Sequence, residues 1–232
     1  MEAQVVEGGT LDYVLVRPAG VADTAGYPLV VVLHGFGANM YDLASIAPPL
    51  DATGYVYAFP NAPYSVQLGG GMEGFSWSLG RPGVEEPASP ENEPTIEERL
   101  DGFMSDVIEA TGAERGRMII GGFSQGAGVS LRYGLPRADA FGGIAVLSGF
   151  FRDAELVRPL LPSKREQRVF VAHGRQDPMV SMAMAQETKA FLEAEGYAPE
   201  FHEYDMAHSI SEPELRDLAA WLHSTLPTGV GA

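Results

Sequence analysis

Short apolar runs alternate with amphipathic segments along the whole of this 232-residue chain. The runs Leu11–Arg17, Leu29–Leu33, Tyr55–Phe59, Arg117–Gly121, Gly143–Leu147, Val169–Ala172 and Glu200–Tyr204 are too short for helices, and most are rich in Val, Ile, Phe or Tyr. They predict strands, and their near-continuous hydrophobicity fits strands covered on both faces. Helical periods lie between them. Thr95-Ile-Glu-Glu98 reads as a capping box, with Ile96, Leu100, Phe103, Met104, Val107 and Ile108 on one face behind it. Ser211-Glu-Pro-Glu214 is a second capping box, followed by Leu215, Leu218, Ala219, Leu222 and Leu226. Gln125–Tyr133 and Ser181–Glu195 complete the helical set. This alternation predicts an α/β protein with a mostly parallel central sheet and helices on both faces.

One segment breaks the rhythm. Tyr64 to Pro94 is rich in glycine and proline, has no sustained period, and ends in an acidic stretch with Glu85, Glu86, Glu91 and Glu93. Strand–helix alternation resumes on both sides, so the expectation is a single domain over 1–232 with a long loop or small lid at about 64–94.

Composition narrows the picture by exclusion. Hydrophobic residues make up 45% of the chain, enough for a sizeable core. Against 15 Lys+Arg stand 31 Asp+Glu, a net charge of −16, which argues against nucleic acid and against docking on anionic lipid. Cysteine is absent, which excludes disulfides, thiolate metal sites and a cysteine nucleophile. Met1–Thr10 carries Glu2 and Glu7 and has neither a basic nor an apolar region, so no secretory signal is legible. The longest apolar run, Pro28–Leu33, falls far short of the roughly 18 residues of a membrane span. A soluble, cytoplasmic protein without a membrane span is expected; association as a homodimer stays open.

Gly122-Phe-Ser-Gln-Gly126 matches G-x-S-x-G. With 28 glycines in the chain a bare match carries little, but a strand pattern ends just before it and a helix pattern starts just after it. A serine on a tight strand-to-helix turn is an exposed nucleophile, with the helix N-terminus aimed at developing negative charge. The flanking glycines are needed because a Cβ two residues either side would collide across the turn.

A serine hydroxyl needs a base, and the base needs a partner that fixes its tautomer. Downstream of Ser124 lie His173, His202, His208 and His223. His208 sits in the loop between the last strand and the last helix, at the strand edge where α/β sheets place reactive groups. His202 falls inside a strand and His223 inside a helix, while His173 closes a strand and suits a loop-orienting role. For the acid, Asp177 follows a strand and a Gly-containing turn and is stiffened by Pro178. Asp153 and Asp205 compete, the latter too close to His208 in sequence to orient it, and a purely turn-capping Asp177 is the alternative reading.

Val30-Val-Val-Leu-His-Gly-Phe-Gly-Ala38 is a strand running into a turn with two glycines. Such a turn can present the backbone N–H of Phe36 beside that of Gln125, the residue after the nucleophile, as two oxyanion donors. It lacks the lysine of a phosphate-binding loop and the third glycine of a dinucleotide fingerprint.

With these turns in place, the chain resembles the serine-esterase branch of the α/β-hydrolases that includes bacterial carboxylesterases, lysophospholipases and acyl-protein thioesterases. The shared motifs are Leu33-His-Gly-Phe-Gly37, Pro60-Asn-Ala-Pro63, Gly122-Phe-Ser-Gln-Gly126, His173-Gly-Arg-Gln-Asp177 and Ala207-His208. The resemblance implies an α/β-hydrolase fold, Ser124 as nucleophile, His208 as base, Asp177 as its orienter, Phe36 and Gln125 as oxyanion donors, and no cofactor. Departures concentrate after Pro63: Ser78 stands where the family often has an aspartate, and Leu79 to Pro94 differs again. Substrate preference therefore does not carry over.

Met72, Phe75, Trp77, Met179 and Met206 are candidates for an apolar substrate pocket, since methionine adapts to varied apolar shapes; Met182, on a helix, reads as core. The acidic run Glu85–Glu98 reads as a solvated loop or a lid. The expectation is a carboxylesterase of short to medium acyl chains acting on small-molecule esters, with an acid limb in its pH–rate profile at roughly pH 6–7 from the base histidine. Lysophospholipase or acyl thioesterase activity is the alternative, and a non-catalytic binding protein on the same fold is the alternative of another class.

Overall fold

The computed structural model describes residues 1–79 and 93–228. Its strands are β1 (Glu2–Val6), β2 (Tyr13–Arg17), β3 (Leu29–Leu33), β4 (Val56–Pro60), β5 (Tyr64–Gly69), β6 (Met72–Ser76), β7 (Met118–Phe123), β8 (Phe141–Leu147), β9 (Arg168–Gly174) and β10 (Glu200–Tyr204). The helices are α1 (Ala47–Leu50), α2 (Ile96–Thr111), α3 (Gln125–Gly134), α4 (Ala154–Val157), α5 (Met182–Ala194) and α6 (Glu212–Thr225). Eight strands form one sheet in the order β1-β2-β4-β3-β7-β8-β9-β10. The β1/β2 and β2/β4 pairs are antiparallel, and every pairing from β4 to β10 is parallel.

The period-2 alternation of each strand divides its side chains between two cores. From β3, Leu29, Val31 and Leu33 enter one core while Val30 and Val32 enter the other. On β9 the split is Val169 and Val171 against Phe170 and Ala172. The first core is closed by α2, α3 and α5 through Leu100, Phe103, Leu131 and Leu192. The second is closed by α1 and α6 through Leu50, Leu218, Trp221 and Leu222. Both capping boxes form as the sequence predicts, Thr95 with Glu98 and Ser211 with Glu214.

Three strands escaped the sequence pattern. β1 is an exposed edge strand with the mixed sequence EAQVV, and it buries too little to be written in apolar residues. β5 and β6 form an antiparallel hairpin within the segment where a long loop or small lid was expected. Its tip, Gly69-Gly70-Gly71, takes positive φ throughout, and most of its residues are exposed, so neither periodicity nor hydrophobicity marks it. The acidic residues Glu85, Glu86 and Glu91 lie outside the described residues. β7 extends two residues further than predicted, to Phe123, and so delivers Ser124 directly from the strand end. Among the described residues no helix is long and apolar enough to cross a membrane.

Candidate active site

Because β3, β7, β9 and β10 are mutually parallel, their C-terminal ends share one edge, and the chain leaves that edge through the turns carrying Phe36, Ser124, Asp177 and His208. Ser124 has φ 56° and ψ −115°, a left-handed value that a non-glycine residue adopts only under constraint. The constraint is close packing. A Cβ on Gly122 would sit 2.4 Å from the carbonyl carbon of Gly126, and one on Gly126 would sit 2.2 Å from the Leu33 carbonyl oxygen. The Ser124 N–H is held by the Leu147 carbonyl at 2.9 Å, and its hydroxyl makes no cap to α3, so Oγ is left to face the cleft.

His208 Nε2 lies 3.0 Å from Ser124 Oγ, and His208 Nδ1 lies 2.7 Å from Asp177 Oδ2. A carboxylate at Nδ1 places the ring proton there and leaves Nε2 as the acceptor for the serine hydroxyl. Asp177 is fixed in turn: its Oδ1 accepts the N–H groups of Met179 at 2.8 Å and Val180 at 2.9 Å. Burial opposes its charge, but those N–H donors and His208 outweigh burial and hold the carboxyl below its ordinary range. The Asp177 and His208 loops are joined by Gln176 N–H to the Met206 carbonyl at 3.1 Å, and a Cβ on Gly174 would meet that carbonyl oxygen at 2.3 Å.

The other candidates lie in different roles. His173 is fully buried and donates from Nε2 to the Val180 carbonyl at 2.8 Å, so it braces the Asp177 turn. His202 stacks on Phe170, and His223 faces Asp51 at 3.2 Å. Asp205 pairs with Arg175, and Asp153 with Arg132.

Across the cleft, the N–H groups of Phe36 and Gln125 have no acceptor among the described residues, and both residues line the cleft. The Phe36 turn is pinned from behind. His34 accepts the Ala62 N–H at Nε2 (3.0 Å), donates from Nδ1 to the Gly35 carbonyl (2.7 Å), and is kept neutral because burial lowers its pKa more than that carbonyl raises it. Trp77 Nε1–H holds the His34 carbonyl at 2.9 Å. From the hairpin, Phe75 exchanges hydrogen bonds with Gly37 (2.8 Å) and Ala38 (2.9 Å).

Sequence reasoning assigned Gln125 only a backbone role. Its side chain also spans to the segment after β6: Oε1 accepts the Trp77 N–H at 3.1 Å, and Nε2 donates to Ser78 Oγ at 3.0 Å and Ser76 Oγ at 3.1 Å. No sequence signal marks this, because the three partners sit in the segment read as loop.

The cleft over Ser124 has a volume of about 780 Å³. Of the predicted pocket residues, Trp77 and Met179 line it. Met72 points outward and is 64% exposed, Phe75 contributes its backbone bridge to Ala38, and Met206 is buried in the His208 loop; none of these three lines the cleft. Leu43, Val129, Phe150 and Met184 do, and only position in the fold could have found them.

Residues 21–226 match the Phospholipase/Carboxylesterase family. An acyl-protein thioesterase 1 of Mycosarcoma maydis is 33% identical, over 90% of this chain and 94% of its own length. A lysophospholipase-like protein 1 of Mus musculus is 28% identical over 72% of this chain and 71% of its own. The crystal structure of esterase PE8 superposes with a TM-score of 0.75 at 24% identity, covering 97% of this chain and all of that one, and so shares the fold.

Proposed function

The chain belongs to the phospholipase/carboxylesterase family of α/β-hydrolases and is a hydrolase of esters or thioesters, and we propose that it works through an acyl-enzyme on Ser124 with acyl thioesters and lysophospholipid-type esters as substrates. The observation that carries the reading is the continuous hydrogen-bond chain from Ser124 Oγ through His208 to Asp177, opposite two backbone N–H groups with no acceptor among the described residues. Ser124 Oγ attacks the acyl carbon as His208 Nε2 takes its proton. The carbonyl oxygen gains the negative charge and is held by the Phe36 and Gln125 N–H groups. Collapse expels the thiol or alcohol, which receives the proton from His208. Water then repeats the sequence: His208 deprotonates it, it adds to the acyl carbon, and Ser124 leaves with its proton restored.

Within the family, two things favour thioesters and lysophospholipid-type esters over the carboxylic esters of short to medium acyl chains expected from sequence: the names of the 33% and 28% identical relatives, and a wide cleft walled by Leu43, Val129, Phe150, Met179 and Met184. A volume of about 780 Å³ is in the upper part of the range for small-molecule sites. We take residues 1–232 as one domain acting in the cytoplasm on small-molecule substrates.

Labelling by a fluorophosphonate probe, with Ser124→Ala as the blank, tests the acyl-enzyme; a folded protein that takes no label is a binding protein and refutes the reading. An acyl-chain-length series of matched esters and thioesters, run above and below the micelle concentration, tests the substrate class. Turnover that falls steadily beyond short chains returns the choice to simple carboxylesters.

A further inference from the structure

Four Asp and Arg side chains line the cleft: Asp42, Arg132, Arg152 and Asp153. Three are committed. Asp42 accepts the Asn39 N–H at 2.7 Å, and Arg132 pairs with Glu97 at 2.6 Å and with Asp153 at 3.5 Å. Arg152 is different: its guanidinium lies 4.5 Å from the centre of the Phe150 ring and has no carboxylate or carbonyl partner among the described residues. Every other described basic side chain has at least one such partner, Arg99 on the Pro94 carbonyl and Arg165 on the Glu195 carbonyl being the least obvious. Arg99, Arg117 and Arg165 also lack a carboxylate partner among the described residues but each donates to a carbonyl; Arg152 has neither, and it opens onto the reactive serine.

Its position is built into the fold. Arg152 lies on the connection from β8 to α4, which packs against the start of α3: a Cβ on Gly149 would meet Ala127 Cβ at 2.3 Å and the Ser124 carbonyl oxygen at 3.2 Å, and one on Gly128 would meet the Phe150 carbonyl oxygen at 2.8 Å. The far side is anchored where the Phe151 N–H donates to Thr188 Oγ1 at 3.0 Å, and Thr188 is buried on α5. Stacking on Phe150 restrains the guanidinium while leaving its N–H fork free, the state in which an arginine receives a carboxylate or phosphate at low entropic cost.

Resting on the serine-hydrolase reading above, we propose that Arg152 is a specificity-determining residue that receives an anionic group of the substrate, so that esters or thioesters bearing a carboxylate or phosphate are preferred over neutral ones of equal length. The acidic total charge then keeps bulk anions away, and one local cation selects the anion that the substrate carries.

The test compares matched substrate pairs in wild type, Arg152→Ala and Arg152→Glu. One arm places the anion on the acyl side, 4-nitrophenyl hydrogen glutarate against 4-nitrophenyl valerate. The other places it on the leaving side, 1-hexanoylglycerol 3-phosphate against 1-hexanoylglycerol. In the arm matching the natural substrate, the anionic-to-neutral ratio of kcat/KM falls about tenfold in Arg152→Ala, the scale of one charge-assisted contact at a solvent-open site, and further in Arg152→Glu. Ratios unchanged within twofold in both arms overturn the proposal. Binding of the intact glutarate and glycerol-phosphate esters to Ser124→Ala, with and without Arg152→Ala, gives a readout that needs no turnover. If Arg152 changes that affinity while wild type neither turns over nor takes the fluorophosphonate label, the acyl-enzyme reading fails and the anion site stands. Equal affinity for both esters in the two backgrounds defeats the anion site alone.

Discussion

Gly74→Ala should cost catalysis far more than its size suggests. Gly74 is buried in β6 where the hairpin crosses the turn that carries the Phe36 N–H, and a Cβ there would sit 2.0 Å from the Gly37 carbonyl oxygen and 2.5 Å from its carbonyl carbon. Non-bonded carbon atoms settle near 3.5–4.0 Å, so one backbone or the other must retreat by more than about 1 Å. Gly37 is bound to Phe75 by its N–H and already takes φ +77°, so the retreat disturbs the peptide adjoining Phe36. A displacement of about 1 Å in a positioned group costs on the order of 10²-fold in rate, and complete loss of one oxyanion donor roughly 10²–10³-fold. The two backbone hydrogen bonds between Phe75 and the turn add a stability cost of about 1–3 kcal/mol together. The assay is kcat and KM on a 4-nitrophenyl ester, with thermal denaturation alongside and Glu73→Ala, an exposed neighbour, as control. The expected result is a kcat lowered about 100-fold with KM little changed and the fold retained. A folded Gly74→Ala protein with kcat within threefold of wild type would refute both the donor role of Phe36 and the coupling through the hairpin.

Asp177→Asn keeps the shape of the turn but no longer demands a proton on His208 Nδ1; turnover should fall by roughly 10⁴-fold while circular dichroism is unchanged, and a loss below tenfold would reduce Asp177 to a turn cap. Glu214 concerns stability instead. It is fully buried at the N-terminus of α6, its Oε2 accepts the Ser211 N–H at 3.1 Å, and its Oε1 has no partner among the described residues. Burial raises its pKa from 4.5 to about 7 against the pull of the Ser211 N–H. A carboxyl that holds its proton more tightly folded than unfolded contributes stability that is complete below about pH 4.5 and lost as pH rises through about 7. At 1.36 kcal/mol per pH unit the loss is roughly 3 kcal/mol. Glu214→Gln can keep the cap without the titration, so its Tm should exceed that of wild type at pH 8 by a margin that disappears near pH 5; the same margin at both values would contradict the assignment.

What could be read from the sequence follows from what each element buries. The strands β3, β7 and β9 are covered on both faces and are written almost wholly in Val, Ile, Leu, Phe and small residues, so they stand out along the chain. Ser124 directly follows β7 and Asp177 lies one turn beyond β9, whereas His208 lies one turn beyond the polar edge strand β10; strand order brings all three to one edge. The hairpin has no such signature: β5 and β6 bury little, bend around three glycines, and rely on backbone contacts with the Phe36 turn that no side-chain pattern records. The cleft walls were hidden for a related reason. Val129, Phe150 and Met184 come from α3, the β8–α4 connection and α5, and their convergence is a product of tertiary packing. Met72 and Met206 were attractive because methionine suits an adaptable pocket, yet one faces solvent and the other fills the space under the His208 loop.

The Gln125 side chain joins the parts that sequence kept apart. Ser124 is strained and the Phe36 turn is short, and each would relax if its neighbours allowed it. Through Gln125 Oε1 and Nε2 the first residue of α3 is tied to Trp77 N–H, Ser76 and Ser78, and Trp77 in turn holds the His34 carbonyl at the base of the Phe36 turn. The Ser124 turn and the Phe36 turn opposite it are therefore braced by one polar network, roofed by a segment that looks like a loop. A side chain of this length is needed because, in the proposed mechanism, the backbone N–H of the same residue serves the reacting carbonyl while the amide must reach across to β6. Asparagine at 125 would keep the N–H and lose the span. That separates the two roles: a rate loss in Gln125→Asn with intact fluorophosphonate labelling assigns the side chain to positioning the donors, whereas loss of labelling as well would mean that the elbow itself depends on the brace.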